Sequence, residues 1–148
     1  MQSKNVVAYI EIRAFAHATE EEDKVLAAMR NILPQRLSEE VSIKKSSLTG
    51  HHGNPITCLE AKIKDRNMVK AVLENLASKL RIMDKELLGG MIEQHIDGGT
   101  LYLRLDKQSA YLGEYKLCTA DPIHLRVHFR KSRPKEIADA CRGFGLIP

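Results

Sequence analysis

The stretch 123–130 alternates strictly, and this constrains the fold more than any other feature of the chain. Leu125, Val127 and Phe129 fall on one side, while His124, Arg126, His128 and Arg130 fall on the other. Successive side chains of a strand point to opposite faces, so this reads as a half-buried strand with one apolar and one cationic face. Two further stretches repeat the pattern. Over 100–106, Leu101, Leu103 and Leu105 face inward and Tyr102, Arg104 and Asp106 outward. Over 6–16, Val6, Ala8, Ile10, Ile12 and Ala14 share one face, and Val7, Tyr9, Glu11, Arg13 and Phe15 the other. A weaker strand over 41–48 pairs with one over 56–63, in which Leu59, Ala61 and Ile63 face inward and Cys58, Glu60 and Lys62 outward. The loop Gly50-His51-His52-Gly53-Asn54-Pro55 joins them, and a short strand over 113–118 completes the set.

The intervening segments carry helical periodicity. Thr19 and Glu22 have the spacing of a capping box. Val25, Ala28, Met29, Ile32 and Leu33 follow as one apolar stripe, which stops at Pro34. Asp65 stands at the N-cap of a second helix with the stripe Val69, Val72, Leu73, Leu76 and Leu80. A third helix starts near Asp84 and uses Leu87, Leu88, Met91, Ile92 and His95. Gly89-Gly90 weakens it by about 1 kcal/mol per glycine. Asp97-Gly98-Gly99 is a turn, and 107–112 is a polar connection. Ser132 and Pro134 open a last helix with Ile137, Ala140, Cys141 and Phe144 on one side, followed by a loose tail over 145–148. Helices with one apolar stripe and strands with one apolar face must bury them against each other. The expected fold is therefore α+β, an antiparallel sheet with amphipathic helices packed on one face and the other face open. Its 148 residues suit one domain spanning 1–148.

Charge points to the partner. The net charge is +4, and all of it lies after residue 124, where Arg126, Arg130, Lys131, Arg133, Lys135 and Arg142 oppose only Glu136 and Asp139. Such an asymmetry calls for a polyanion. No apolar run approaches the roughly 18 residues of a membrane span, and residues 1–5 lead into the first strand without a signal-peptide core, so a cytosolic protein is expected. Cys58, Cys118 and Cys141 are scattered and odd in number, which fits buried thiols and neither a disulfide framework nor a cysteine-rich metal site.

The strongest chemical constellation is the outward face of 123–130. Arg126, His128 and Arg130 share it, and Lys131, Arg133 and Lys135 extend it into a helix start, where backbone N–H groups also attract phosphate. With Tyr9, Arg13, Tyr102 and Arg104 from neighbouring strands, that face combines cations and rings, the ingredients of RNA binding. Lys107 is a further cationic candidate. Aromatic content is only 5%, which favours backbone recognition over base stacking. His51, His52 and Asn54 in the glycine loop are candidates for RNA contact. Adjacent histidines diverge in extended structure, so no metal site is expected. No GxSxG, P-loop or HExxH occurs, and Asp106 paired with a histidine is the one acid–base candidate. No enzyme activity, catalytic residue or cofactor is expected. The alternative function is a protein-interaction subunit of a larger assembly.

Three blocks resemble an archaeal family of small RNA-binding proteins often labelled predicted exosome subunits. They are Ala8-Tyr9-Ile10-Glu11-Ile12-Arg13-Ala14-Phe15-Ala16-His17-Ala18-Thr19-Glu20, the loop Gly50-His51-His52-Gly53-Asn54-Pro55-Ile56, and Leu101 through Tyr111 together with Asp121-Pro122-Ile123. The resemblance spans about 6–129. It implies an α+β fold related to the ribosomal protein that binds five-S RNA. It also implies RNA association in processing, decay or ribosome-related work, within a larger assembly. It implies no catalytic set. The basic end after Phe129 lies outside it, and its role rests on charge.

Overall fold

The computed structural model describes residues 6–148. Six strands form one antiparallel sheet: β1 (Val7–His17), β2 (Lys44–Thr49), β3 (Pro55–Ile63), β4 (Ile96–Asp97), β5 (Thr100–Leu105) and β6 (Ile123–Phe129). Their order is β2-β3-β1-β6-β5-β4. The five helices are α1 (Glu22–Ile32), α2 (Arg66–Lys79), α3 (Ile82–Gly90), α4 (Lys107–Tyr111) and α5 (Pro134–Phe144). The expected α+β architecture is observed.

Burial follows the alternation. Ile10, Ile12, Ala14, Leu59, Leu101, Leu103, Leu105, Leu125 and Val127 are all inaccessible and join one core cluster with the helix stripes. Each fully buried Leu or Ile contributes about 1.5–3 kcal/mol relative to exposure. In β1 the phase slips at its start. The register passes from Val7 opposite Phe129 to Tyr9 opposite His128, which leaves Ala8 as an extra residue. This bulge turns Val7 inward, where simple alternation assigned Val6 and Ala8.

The α1 and α2 stripes are buried as expected. Asp65 caps α2 by accepting from the Met68 N–H at 3.0 Å. The capping box at α1 does not form. Glu21 is its N-cap without a side-chain bond, and the Glu20 carboxylate instead accepts from the His17 N–H. The third helix breaks at Gly90-Met91, and a short 3-10 turn, Ile92–His95, continues it. Only Leu88 and Ile92 of its expected stripe are buried, while Leu87 and Met91 are exposed.

Three expectations in the C-terminal half are corrected. The polar connection 107–112 contains α4, started by Asp106, whose carboxylate accepts from the Ser109 N–H at 2.9 Å and hydroxyl at 2.7 Å. The stretch 113–118 is no strand. It makes isolated bridges, Tyr115 to Leu80 and Leu117 to Leu105, because the buried Tyr115 hydroxyl is drawn between the Asn31 carbonyl and the Asn75 amide. The tail is not loose. Gly145 closes α5 in a left-handed conformation, φ 86°, and the Leu146 N–H reaches back to the Cys141 carbonyl. Leu146 and Ile147 then bury themselves in the core, with Ile147 and Pro148 against Gly89 of α3.

Candidate nucleic-acid interface

The face of the sheet opposite the core is polar, and strand register arranges it in cross-strand rows. One row runs Thr100, His128, Tyr9; the next runs Tyr102, Arg126, Glu11, Lys62; the third runs Arg104, His124, Arg13, Glu60, Lys44. Arg13, Arg104, Arg126 and His128, four residues singled out from the sequence, therefore lie together on neighbouring strands. A depression of about 270 Å³ opens on this face, lined by Glu11, Arg13, Lys62, His124 and Arg126 among others.

The rows are tied internally. His128 has both ring nitrogens engaged, Nε2 with the Glu11 carboxylate at 2.7 Å and Nδ1 with the Thr100 hydroxyl at 3.0 Å. The Tyr9 ring stacks on the His128 ring at 4.1 Å, and the Lys62 ammonium sits 4.4 Å from the Tyr9 centroid. His128 belongs to β6 and Lys62 to β3, so the ring is engaged from the strands on both sides of β1. Tyr9 is thus already engaged with protein neighbours. Arg126 lies 5.6 Å over the Tyr102 ring, and Phe15 meets His124 edge-on at 6.3 Å. Arg13 donates from Nε to Glu60 at 3.0 Å and pairs with it through Nη2 at 2.8 Å. Arg104 and Arg126 have no carboxylate partner within ion-pair distance among the described residues. What remains available is guanidinium more than ring, a face suited to phosphate.

Lys107 does not join it. Its side chain is only 11% exposed, and its ammonium donates to the Phe15 carbonyl at 2.7 Å and to Glu20 at 3.0 and 3.1 Å, and pairs with Asp121 at 2.9 Å. It joins the end of β1, the approach to α1, the start of α4 and the loop before β6. His17 pairs with the same Asp121 at 3.1 Å. Burial alone would raise the Asp121 pKa, but the bonds from Lys107 and His17 outweigh it and hold it below the usual value. His17, Glu20 and Asp121 converge as metal ligands would, yet the Lys107 ammonium already supplies the cation between the two carboxylates. The sequence blocks at 8–20, 101–111 and 121–123 meet at this knot, whose partners are too distant in the chain to be read from local pattern.

The other candidates sit elsewhere. Arg130 is exposed just beyond β6. Lys131 is exposed and 3.8 Å from Glu136, Arg133 is the N-cap of α5, and Lys135 lies in its first turn. They form a basic edge at the end of the sheet beside the Gly98-Gly99 turn, where a Cβ on Gly99 would meet the Lys131 carbonyl at 2.8 Å. His51, His52 and Asn54 form the β2–β3 hairpin loop, far along the chain from the arginine row. His52 takes φ 65°, Asn54 is exposed, and the Gly50 N–H closes the loop on the Asn54 carbonyl; the His51 side chain lies outside the described residues. Asp106, the acid–base candidate, is a helix cap. The Ser109 hydroxyl and N–H hold its pKa below the usual value, which suits an anchor and not a proton shuttle. His95 bonds the Tyr102 carbonyl through Nδ1. Glu11, Glu60 and Lys62 were missed as members of the site, because only the strand order reveals them as neighbours, whereas alternation alone puts His124 on the same face as Arg126.

Comparison with known proteins agrees with this chemistry. A family model described as RNA binding matches residues 9–129. The RNA-binding protein PAB1135 of Pyrococcus abyssi is 40% identical over 121 residues, covering 80% of this chain and 79% of that protein. The uncharacterized protein MJ0213 of Methanocaldococcus jannaschii is 31% identical over 130 residues, covering 85% and 87%. The crystal structure of protein AF2318 from Archaeoglobus fulgidus superposes with a TM-score of 0.81 at 29% identity, covering 93% of this chain and 99% of that one.

Proposed function

The chain belongs to the RNA-binding family, and from that membership we propose that it binds RNA through the open face of its sheet, reading phosphates more than bases. The observation that carries this is the row Arg104, His124, Arg13, with Arg126 beside it, which sets three guanidinium groups from three adjacent strands on one surface. The basic edge Arg130 to Lys135 extends the positive field past the end of β6. Engagement of the Tyr9 ring by His128 and Lys62 competes with base stacking there and supports low base specificity. We place the protein as a non-catalytic, cytosolic accessory factor in RNA processing, decay or ribosome-related work, acting within a larger assembly.

The test is fluorescence anisotropy with structured and unstructured RNA over a salt series. Binding should weaken steeply with salt, and Arg104→Ala and Arg126→Ala should each flatten the log–log slope by about 0.7–0.9. Binding that ignores salt, or a slope unmoved in the double variant, would reject the sheet face as the RNA surface.

A further inference from the structure

Three arginines from three neighbouring strands surround one imidazole. Arg104 of β5 and Arg13 of β1 lie directly across from His124 on its two sides, and Arg126 follows two residues along β6 on the same face. Directly opposed residues in an antiparallel pair have Cβ atoms about 5 Å apart, and diagonal neighbours stand about 7–8 Å apart. Arginine side chains reach across such spans, so all three can converge above the His124 ring, with Phe15 edge-on beside it. The field is felt at His124. Burial first, then Arg104, Arg126 and Arg13, hold its pKa below the ordinary 6.5, and Asp121 pulls the other way. Only Arg13 among the three has a carboxylate partner among the described residues, Glu60, and the nearby Glu11 is committed to His128. Arg104 and Arg126 are therefore without an ion-pair partner among the described residues at this point of the sheet.

We propose that Arg13, Arg104 and Arg126 around His124 form a seat for a terminal phosphate of RNA, a phosphomonoester and not an internal phosphodiester. The inference rests on the RNA-binding reading and goes beyond it in naming the chemical end that is recognised. An internal phosphate carries one negative charge. A terminal one carries about −1.5 to −2 at pH 7 and three strong acceptor oxygens. Arg104 and Arg126 together balance that dianion. Arg126 lies 5.6 Å from the Tyr102 centroid and makes no side-chain hydrogen bond among the described residues, so its N–H groups are free to donate to phosphate. Arg13 is held in orientation by Glu60 through Nε and Nη2, which leaves Nη1 to complete a third fork. A dianion among the arginines offsets their share in lowering the His124 pKa, so phosphate binding should raise it.

The experiment uses one short unstructured RNA sequence with three kinds of end: hydroxyl at both ends, 5′-phosphate, or 3′-phosphate. The three compete against a labelled RNA for the full chain at fixed salt. One phosphorylated form should bind about tenfold tighter than the hydroxyl form, and Arg104→Ala or Arg126→Ala should erase that advantage. In parallel, the His124 ring is titrated by NMR with and without uridine monophosphate, and its midpoint should rise with the nucleotide. Equal affinity for all three ends would overturn the seat while leaving RNA binding intact. A His124 midpoint that ignores the monophosphate would overturn it as well. Failure of every RNA to bind at low salt, with the monophosphate still raising His124, would overturn RNA as the source of the phosphate and the RNA-binding reading with it.

Discussion

Tyr9 stands directly across from His128 between β1 and β6, in the register that also sets Ile12 opposite Leu125, and the two rings stack. The same register brings the Glu11 carboxylate to the His128 imidazole at 2.7 Å, and the bulge at Ala8 shifts only the residues before Tyr9. The stack is thus a fastening of the sheet's middle. Tyr9→Ala should destabilise the fold by about 2 kcal/mol, from lost area and lost ring contact. RNA affinity measured on the folded variant should change far less than the ~1–3 kcal/mol that a base-stacking ring contributes. Urea melts and anisotropy on one preparation decide this, and a large affinity loss with little loss of stability would show the ring to be a platform after all.

Lys107→Met should behave in the opposite way to a phosphate contact. Its ammonium bonds two carboxylates and a carbonyl at the meeting of β1, α4 and the loop before β6. Removing it should cost about 2 kcal/mol of unfolding free energy. The slope of RNA binding against salt should stay where it was, whereas a change of about 0.7 or more would return Lys107 to the interface.

His124 makes stability depend on pH in a known direction. Its folded pKa lies below the unfolded 6.5, through burial and then the three arginines. The unfolded chain therefore binds the proton more readily, and stability is lost as pH falls through 6.5 toward the folded value. Thermal melts of the wild type without RNA should show this decline. In His124→Gln that part of the decline should vanish, and an unaltered pH profile would assign it to other groups.

Leu146→Ala tests the packed tail. Leu146 is fully buried after the left-handed turn at Gly145. Emptying that site should cost about 2–5 kcal/mol. A midpoint in urea indistinguishable from wild type would mean that the tail contributes nothing to the core.

Much of the fold was legible because its signals are local. The alternation of Leu101, Leu103 and Leu105 and of Leu125, Val127 and Phe129 read directly as inward faces, and so did the stripes of α1 and α2. Errors came where tertiary partners override local pattern. The Tyr115 hydroxyl, held between Asn31 and Asn75, draws 113–118 away from a strand; the helix at 107–111 has a local cause instead, the Asp106 cap on Ser109 three residues on. Leu87 and Met91 had the spacing of a stripe, but the helix breaks at Gly90-Met91 and leaves both exposed. At the site, Arg126 and His128 were legible from one strand alone. That Arg13 is bound to Glu60, and that Lys107 belongs to Glu20 and Asp121, depends on strands and loops distant in the chain.

The strand order carries a kinetic consequence. β1 and β6 are the first and last strands in the chain, yet they lie side by side at the centre of the sheet, with Ile12 opposite Leu125. During synthesis β1 can pair with β3 early, but its other edge has no partner until β6 emerges. Closing a loop of that length is entropically slow, and topologies rich in such distant pairings fold in milliseconds to seconds. An unfinished chain therefore carries an open hydrogen-bonding edge beside the hydrophobic face of Ile10, Ile12 and Ala14. Premature termination before β6 should yield aggregates, because the middle of the sheet is completed by the last strand to be made.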